Sequence, residues 1–319
     1  MKVVIASGLL GEDFVAEVRA SFPDVDIVTA YTEEDKLREI GDAEVLFGGI
    51  TREAFLDARN LKWFQFEGIG FDGIVNSIPE IVESSVTMTL MRETHVPAIS
   101  DHAMAMILAF AHRIPDLLED QRVHRWDTES YRYKIKELTG TTVGILAMGD
   151  LGRGVAQRAR AFDMKIYGVD LEPTDPPEGV EAVWGLDRLD EMLAISDWVV
   201  VTAPRTPASR GLIGTAQFER MKSTAHLVVV SRGSIVDESA LIRALRAGGI
   251  AGAALDATDV EPLSSESPLW DFPNVIISPH VSGETTELWE RRKEIFKENL
   301  RRYVAGEELM FVADKARGY

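Results

Sequence analysis

Three polar side chains stand just beyond short apolar runs in the second half of the sequence: Arg232 in VVVSRGSIVDESAL, Glu261 in AALDATDVEPL and His280 in IISPHVSG. A guanidinium is a planar fork that matches a carboxylate and an adjoining carbonyl. An imidazole gives and takes a proton near neutral pH, and a neighbouring carboxylate can hold the ring and its proton. Singly, such residues in loops are more often parts of surface ion pairs. What raises them is their placement after strand-like runs, where open α/β sheets bind ligands.

A fourth stretch, GILAMGDLG at 144–152, reads as a nucleotide-binding turn with one letter changed. The pattern G-x-G-x-x-G would begin with glycine at 147, where the chain has Ala147, followed by Met148, Gly149, Asp150, Leu151 and Gly152. The surroundings decide in its favour. TTVGILA before it is strand-like, GRGVAQRARAF after it is helix-like, and KIYGVD ends on Asp170, about twenty residues on, where an acid binds ribose hydroxyls. Gly149 is the position that admits a pyrophosphate and Gly152 the one that allows close helix packing; both are kept. Alanine at the tight-turn position costs little where the local φ is negative. The site is therefore expected to hold a pyrophosphate at a helix N-terminus.

The elements that must position these residues alternate along the chain. VVIAS, VDIVT, EVLFGG, WFQFEG and VTMTLM, then TVGILA, KIYGVD, WVVVTA, HLVVVS, GAALDA and NVIISPH, read as strands, with amphipathic segments between most of them. This predicts an α/β protein of two doubly wound parallel-sheet domains. AISDHAMAMILAFAHRI is apolar on nearly every face and predicts a buried or interface helix at the crossing between domains. Its His102 and His112 lack a third ligand at helix-compatible spacing, so they read as structural, and no metal is expected. The charged segment ETTELWERRKEIFKENLRRYVAG predicts a helix returning to the first domain. The expected division is residues 1–97 with 285–319, and an inserted domain at 98–284.

With 319 residues, about two domains are the prior. Fifty-two acidic against thirty-four basic residues, a formal charge of −18, argue against a nucleic-acid partner. The absence of cysteine excludes disulfides, thiol nucleophiles and thiolate metal sites. The opening MKVVIASGLLGEDF meets acidic residues too early for a signal peptide, and no stretch reaches membrane-spanning length, so a cytoplasmic protein without membrane association is expected.

From about Leu138 to Gly283 the chain resembles the D-isomer-specific 2-hydroxyacid dehydrogenases, through TTVGILAMGDLGRGVAQRARAFDMKIYGVD, TAPRTPASRGLIG and the run from LVVVSRGSIVDESAL to NVIISPHVSG. The resemblance implies a flavodoxin-like substrate domain and a Rossmann domain binding NAD. It implies reversible reduction of a small 2-oxo acid to the (R)-2-hydroxy acid. Arg232 would then orient the substrate, His280 donate the proton and Glu261 tune His280. Asp256 would lie near the nicotinamide carboxamide, and Ala203 and Pro204 would line the cofactor groove together with Val230, Ser231 and Gly283. FEGIGFDGI resembles the loop whose amides bind the substrate carboxylate, which carries over to Ile69 and Gly70. A homodimer paired through the inserted domain is implied as well.

The first half departs from the family. Leu90 replaces a frequent Asn, Asp101 a usual Glu, and Glu67 is unexpected beside an anion site, while Arg92 and His95 read equally well as lining the substrate cleft or as solvated loop residues. These departures bear on which acid is bound. Two other readings remain: an NADH-sensing scaffold similar to the C-terminal-binding corepressors, which keep the same three residues, and a formate dehydrogenase, whose family has Gln where this chain has Glu261. The sequence ends at Tyr319 without a long polar tail, which favours an enzyme. Asp170 followed by Leu171 and Glu172 predicts NAD over NADP.

Overall fold

The structure, a computed structural model, describes residues 1–315 of the chain. It divides into two compact units, Met1–Thr94 with the chain from Thr285 onward, and His95–Glu284.

In the first unit β1 (Lys2–Ile5), β2 (Asp26–Thr29), β3 (Val45–Phe47), β4 (Trp63–Gln65) and β5 (Thr87–Thr89) form a parallel sheet in the order β2-β1-β3-β4-β5. This is the flavodoxin-like order. Successive strand residues point to opposite faces. Val4, Leu46, Phe64 and Met88 accordingly enter one hydrophobic layer, and Val3, Ile5, Val45, Phe47 and Trp63 the other. Helices α1 (Glu12–Ser21), α2 (Glu33–Glu39), α3 (Arg52–Asp57), α4 (Asp72–Ser77) and α5 (Glu80–Glu83) connect the strands. Thr32 and Thr51 start α2 and α3 by accepting the amides of Asp35 and Ala54.

The charged C-terminal segment forms a helix, Thr286–Ala305, capped by the Thr285 hydroxyl and ended by Gly306 at φ +69°. Its Phe296 meets the rings of Phe47, Trp63 and Phe14 at centroid distances of 4.7, 6.2 and 6.5 Å. Its buried Asn299 donates to Gln65 Oε1 (2.9 Å), which also accepts from the Thr89 hydroxyl (2.8 Å), and Trp63 Nε1 donates to that hydroxyl (2.7 Å). Each of these buried polar groups has a partner, so the network fixes the helix on the sheet without a desolvation penalty.

The second unit begins with α6 (Val96–Ala111) and α7 (Ile114–Arg122). Its sheet contains β6 (Thr142–Leu146), β7 (Lys165–Val169), β8 (Ala182–Trp184), β9 (Trp198–Val201), β10 (His226–Val229), β11 (Gly252–Leu255) and β12 (Val275–Ile277). All pairs are parallel, in the order β12-β11-β10-β9-β6-β7-β8, a Rossmann sheet with its reversal between β6 and β9. Helices α8 (Asp150–Arg160), α9 (Leu189–Ile195), α10 (Thr215–Arg220) and α11 (Glu238–Ala247) complete it. Val199, Val201, Leu227 and Val229 face one core layer, and Trp198, Val200 and Val228 the other. Burial on both faces explains why these runs read as continuously apolar.

β8 was not legible in the sequence. It is three half-buried residues at the sheet edge, too short to show a period. α6 buries one stripe, Ser100, Ala103, Met104, Ile107 and Ala111, and leaves Ala105 exposed with Met106 and Phe110 partly so. Among the described residues no helix is long and apolar enough to cross a membrane.

Candidate active site

The strands of the second unit bring the polar residues together at one edge. Val229, Leu255 and Ile277 are register partners at the ends of β10, β11 and β12. Arg232, Asp256 and His280 therefore leave the sheet from the same level on three adjacent strands. Gly233 lets the first two loops close up: a Cβ there would lie 2.1 Å from the Thr258 carbonyl carbon.

His280 Nδ1 lies 2.8 Å from Glu261 Oε2, and Glu261 Oε1 accepts the Thr258 amide at 3.0 Å. An ionised carboxylate only accepts, so Nδ1 carries the proton of this bond and Nε2 is the nitrogen left for exchange. The side chains are 45% and 40% exposed, so the pair is open to a reactant. Arg232 Nη1 donates to the carbonyl of Ser231 (3.0 Å), and the Ser231 hydroxyl donates to that of Val201 (3.2 Å), anchoring this loop to β9.

His280 itself has φ +55°, a conformation that costs a non-glycine residue about 1 kcal/mol or more. Asp256 holds it there. The Asp256 carbonyl accepts the His280 amide (2.8 Å), Oδ1 accepts the Val281 amide (3.0 Å) and Oδ2 the Ser282 amide (3.2 Å). Burial alone would raise the carboxyl of Asp256. The Ser278 and Ser282 side chains and the amides of Val281 and Ser282 outweigh it and lower the pKa below the usual carboxylate value.

At the β6/β9 reversal lies the glycine-poor turn. Ala147 has φ +79°, so the expectation of an unstrained alanine is corrected: the position does need the left-handed region. Bonds on both sides hold it. Its amide donates to Val169 (2.7 Å), and the Thr202 hydroxyl donates to the carbonyls of Ala147 (2.7 Å) and Leu146 (2.9 Å). Gly152 is obligatory, since a Cβ would meet the Ala147 oxygen at 2.1 Å. Gly149 caps α8 without a side chain, and nothing lies within 4 Å of a Cβ built there. Open space above a helix N-terminus fits a dinucleotide pyrophosphate. Asp170, at the end of β7, accepts the amides of Met148 (2.7 Å) and Glu172 (3.1 Å) and so clasps the turn.

Asp150 and Leu151 open α8, and Ala203 and Pro204 follow β9. Met148, Ala203 and Val230 have buried side chains in the core layers. Gly283 packs against the ring of His95. Ile69 and Gly70 lie in the first unit, in the turn between β4 and α4, whose Gly68 carbonyl accepts the Met91 amide (3.0 Å). Glu67, in the same turn, has a buried Oε2 without a hydrogen-bond partner among the described residues. Leu90 is buried in the first unit's core. Asp101 pairs with Arg158 and ties α6 to α8.

Three participants were missed in the sequence. Thr202 bridges the reversal, Ser278 donates to Asp256, and Arg153 reaches from α8 to the Met148 carbonyl and the Thr174 hydroxyl, both at 3.1 Å. Thr202 and Ser278 directly follow β9 and β12, whereas Arg153 lies within α8.

The family model for the D-isomer specific 2-hydroxyacid dehydrogenase NAD binding domain matches residues 104–282. A glyoxylate reductase from Thermofilum pendens is 34% identical over 86% of this chain and 83% of its own length. A D-3-phosphoglycerate dehydrogenase from Archaeoglobus fulgidus is 32% identical over 90% of this chain, which spans 54% of that longer protein. Among solved structures, a D-isomer specific 2-hydroxyacid dehydrogenase family protein from Aeromonas salmonicida superposes with a TM-score of 0.87 at 28% identity, covering 98% of this chain and 99% of that one. A D-isomer specific 2-hydroxyacid dehydrogenase from Xanthobacter autotrophicus, in complex with NADPH and MES, gives 0.82 at 29%, covering 100% and 99%. A family model across the Rossmann sheet and a relative aligned along most of both chains agree with the strand-end chemistry: this chain belongs to the D-isomer specific 2-hydroxyacid dehydrogenases.

Proposed function

We propose that the chain catalyses the reversible NADH-dependent reduction of a small 2-oxo acid to its (R)-2-hydroxy acid, with His280 as proton donor. The observation that carries this is the His280–Glu261 pair at 2.8 Å, presented beyond β11 and β12 of the sheet whose β6 leads into the Gly149 turn. When bound, the nicotinamide cofactor supplies the hydride that reaches C2 of the substrate. Gly149 and the first turn of α8 hold the pyrophosphate, and Asp170 the adenosine ribose.

Arg232 binds the substrate carboxylate and polarises the adjoining carbonyl. His280 Nε2 delivers a proton to the carbonyl oxygen as the C=O π pair moves onto it, while Glu261 keeps the ring oriented through Nδ1. Reduction thus consumes one proton and oxidation releases it. The protein's share is positioning plus that proton.

The name of the Thermofilum relative makes glyoxylate the first acid to test. NADH consumption with glyoxylate, hydroxypyruvate, pyruvate and longer branched 2-oxo acids should show turnover with at least one, yielding the (R)-product where C2 becomes chiral. Tight NADH binding without turnover on any would contradict the proposal and favour an NADH-sensing scaffold. We further propose a homodimer paired through the second unit, supported by the almost fully exposed rings of Trp126 and Tyr133 beyond α7.

A further inference from the structure

Asp256 is not the end of the chain of contacts behind His280. Its Oδ1 accepts the Ser278 hydroxyl at 2.6 Å, and Ser278 Oγ lies 3.0 Å from Nε2 of His102 on α6. The direction of these bonds follows from proton counting. The carboxylate can only accept, so the single hydroxyl proton of Ser278 goes to Asp256. That leaves only lone pairs for His102, whose Nε2 must therefore carry the proton. His102 Nε2 is also 3.9 Å from Asp256 Oδ1, and its side chain is only 19% exposed. The Asp256 carboxylate fixed in this way receives two amides of the turn, Val281 and Ser282, while the Asp256 carbonyl receives that of His280.

We propose that His102 is a positioning residue for the reaction: through Ser278 it locks the rotamer of Asp256, and Asp256 locks the strained turn that presents His280. The proposal rests on His280 acting as the proton donor. It gives the imidazole of this largely apolar helix a defined partner, as Asp101 beside it has one in Arg158. The positive φ of His280 is held by the backbone bonds to Asp256, while its ring is held separately by Glu261.

Three variants and one spectrum test it. His102→Leu removes the donor, His102→Gln keeps an N–H at similar reach without the ring, and Ser278→Ala cuts the link. His102→Leu and Ser278→Ala should lower kcat roughly 10- to 100-fold, the loss expected of a displaced reacting group. His102→Gln should recover most of kcat. Wild-type kcat in His102→Leu, or a Gln variant as impaired as the Leu variant at equal melting temperature, would overturn the proposal. Long-range ¹⁵N–¹H correlation on the unmodified protein should find the His102 proton on Nε2, and the His280 and Val281 amide resonances should move in His102→Leu and return in His102→Gln. A proton on Nδ1 with a bare Nε2, or amides that do not respond, would refute it without any substrate. Absence of turnover in the unmodified protein would instead refute the assigned function and leave the spectrum to decide the hydrogen-bond chain.

Discussion

At the scale of single residues, the chemistry depends on which polar atoms are already committed. Glu261 uses both carboxylate oxygens, one on His280 and one on the Thr258 amide, so it orients the ring and is held itself. Asp170 is likewise occupied by the Met148 and Glu172 amides, which fix its negative charge at the end of β7. A 2′-phosphate on the adenosine ribose would be brought against that fixed charge, and the cost should show in cofactor choice. NADH should give a higher kcat/KM than NADPH, and Asp170→Ala should narrow the gap. If NADPH proves equal or better in the unmodified protein, the charge at Asp170 is being offset, and Arg153, tethered to Thr174 in the loop after β7, is the group to substitute.

At the scale of elements, the β6–α8 turn shows what was readable and what was not. The strand, the helix and the acid at the end of β7 were legible because period, length and terminal residues all pointed the same way. The backbone angle of Ala147 was not, since a side chain reports φ only when glycine announces it. The left-handed region costs an L-residue about 1–2 kcal/mol, whereas a glycine adds about 0.4–1 kcal/mol of unfolded-state entropy. Ala147→Gly should therefore stabilise the fold by up to about 1 kcal/mol, measurable as a raised midpoint of chemical unfolding. A lowered midpoint would mean that the methyl group contributes packing that outweighs the strain. The same reasoning covers the loops of the candidate site: Arg232, Glu261 and His280 could be picked out by their position after strands, but the Asp256 clasp on the His280 turn could not, because the bonds that form it join residues 256 to 278 and 280–282 across two strands. β8 escaped for want of length, and Leu90, which the sequence leaves beside a presumed loop, is drawn into the core by its place just after β5.

At the scale of the whole molecule, one buried group sets an acid limit. His226 lies between Trp198 (4.9 Å) and Phe110 (4.7 Å), and burial, with help from Lys136 and Arg113, lowers its pKa from 6.5 to about 4. A base whose folded value is depressed leaves the unfolded chain binding the proton first, so the stability is fully present above pH 6.5 and is lost as pH falls towards about 4. The loss amounts to at most roughly 3 kcal/mol. His226→Phe, which keeps the ring stack and removes the titration, should lose less stability than the unmodified protein between those limits in urea unfolding; parallel curves would exclude His226 as the cause. The proposed pairing of second units predicts a dimer mass by light scattering at micromolar concentration, and substituting Trp126 and Tyr133 with Ser should shift it towards the monomer. A monomer from the unmodified protein would end that proposal.

The proposed reaction depends most on His280. A proton delivered in step with hydride transfer is worth about 10²–10⁴-fold in rate. The direct measurement is steady-state reduction of the best 2-oxo acid by His280→Asn beside the unmodified protein, with NADH binding followed by fluorescence in both. The predicted result is a loss of kcat in that range with NADH affinity essentially unchanged. Near-normal turnover in His280→Asn would contradict the assignment of the acid and, with it, the mechanism built on the Glu261 pair.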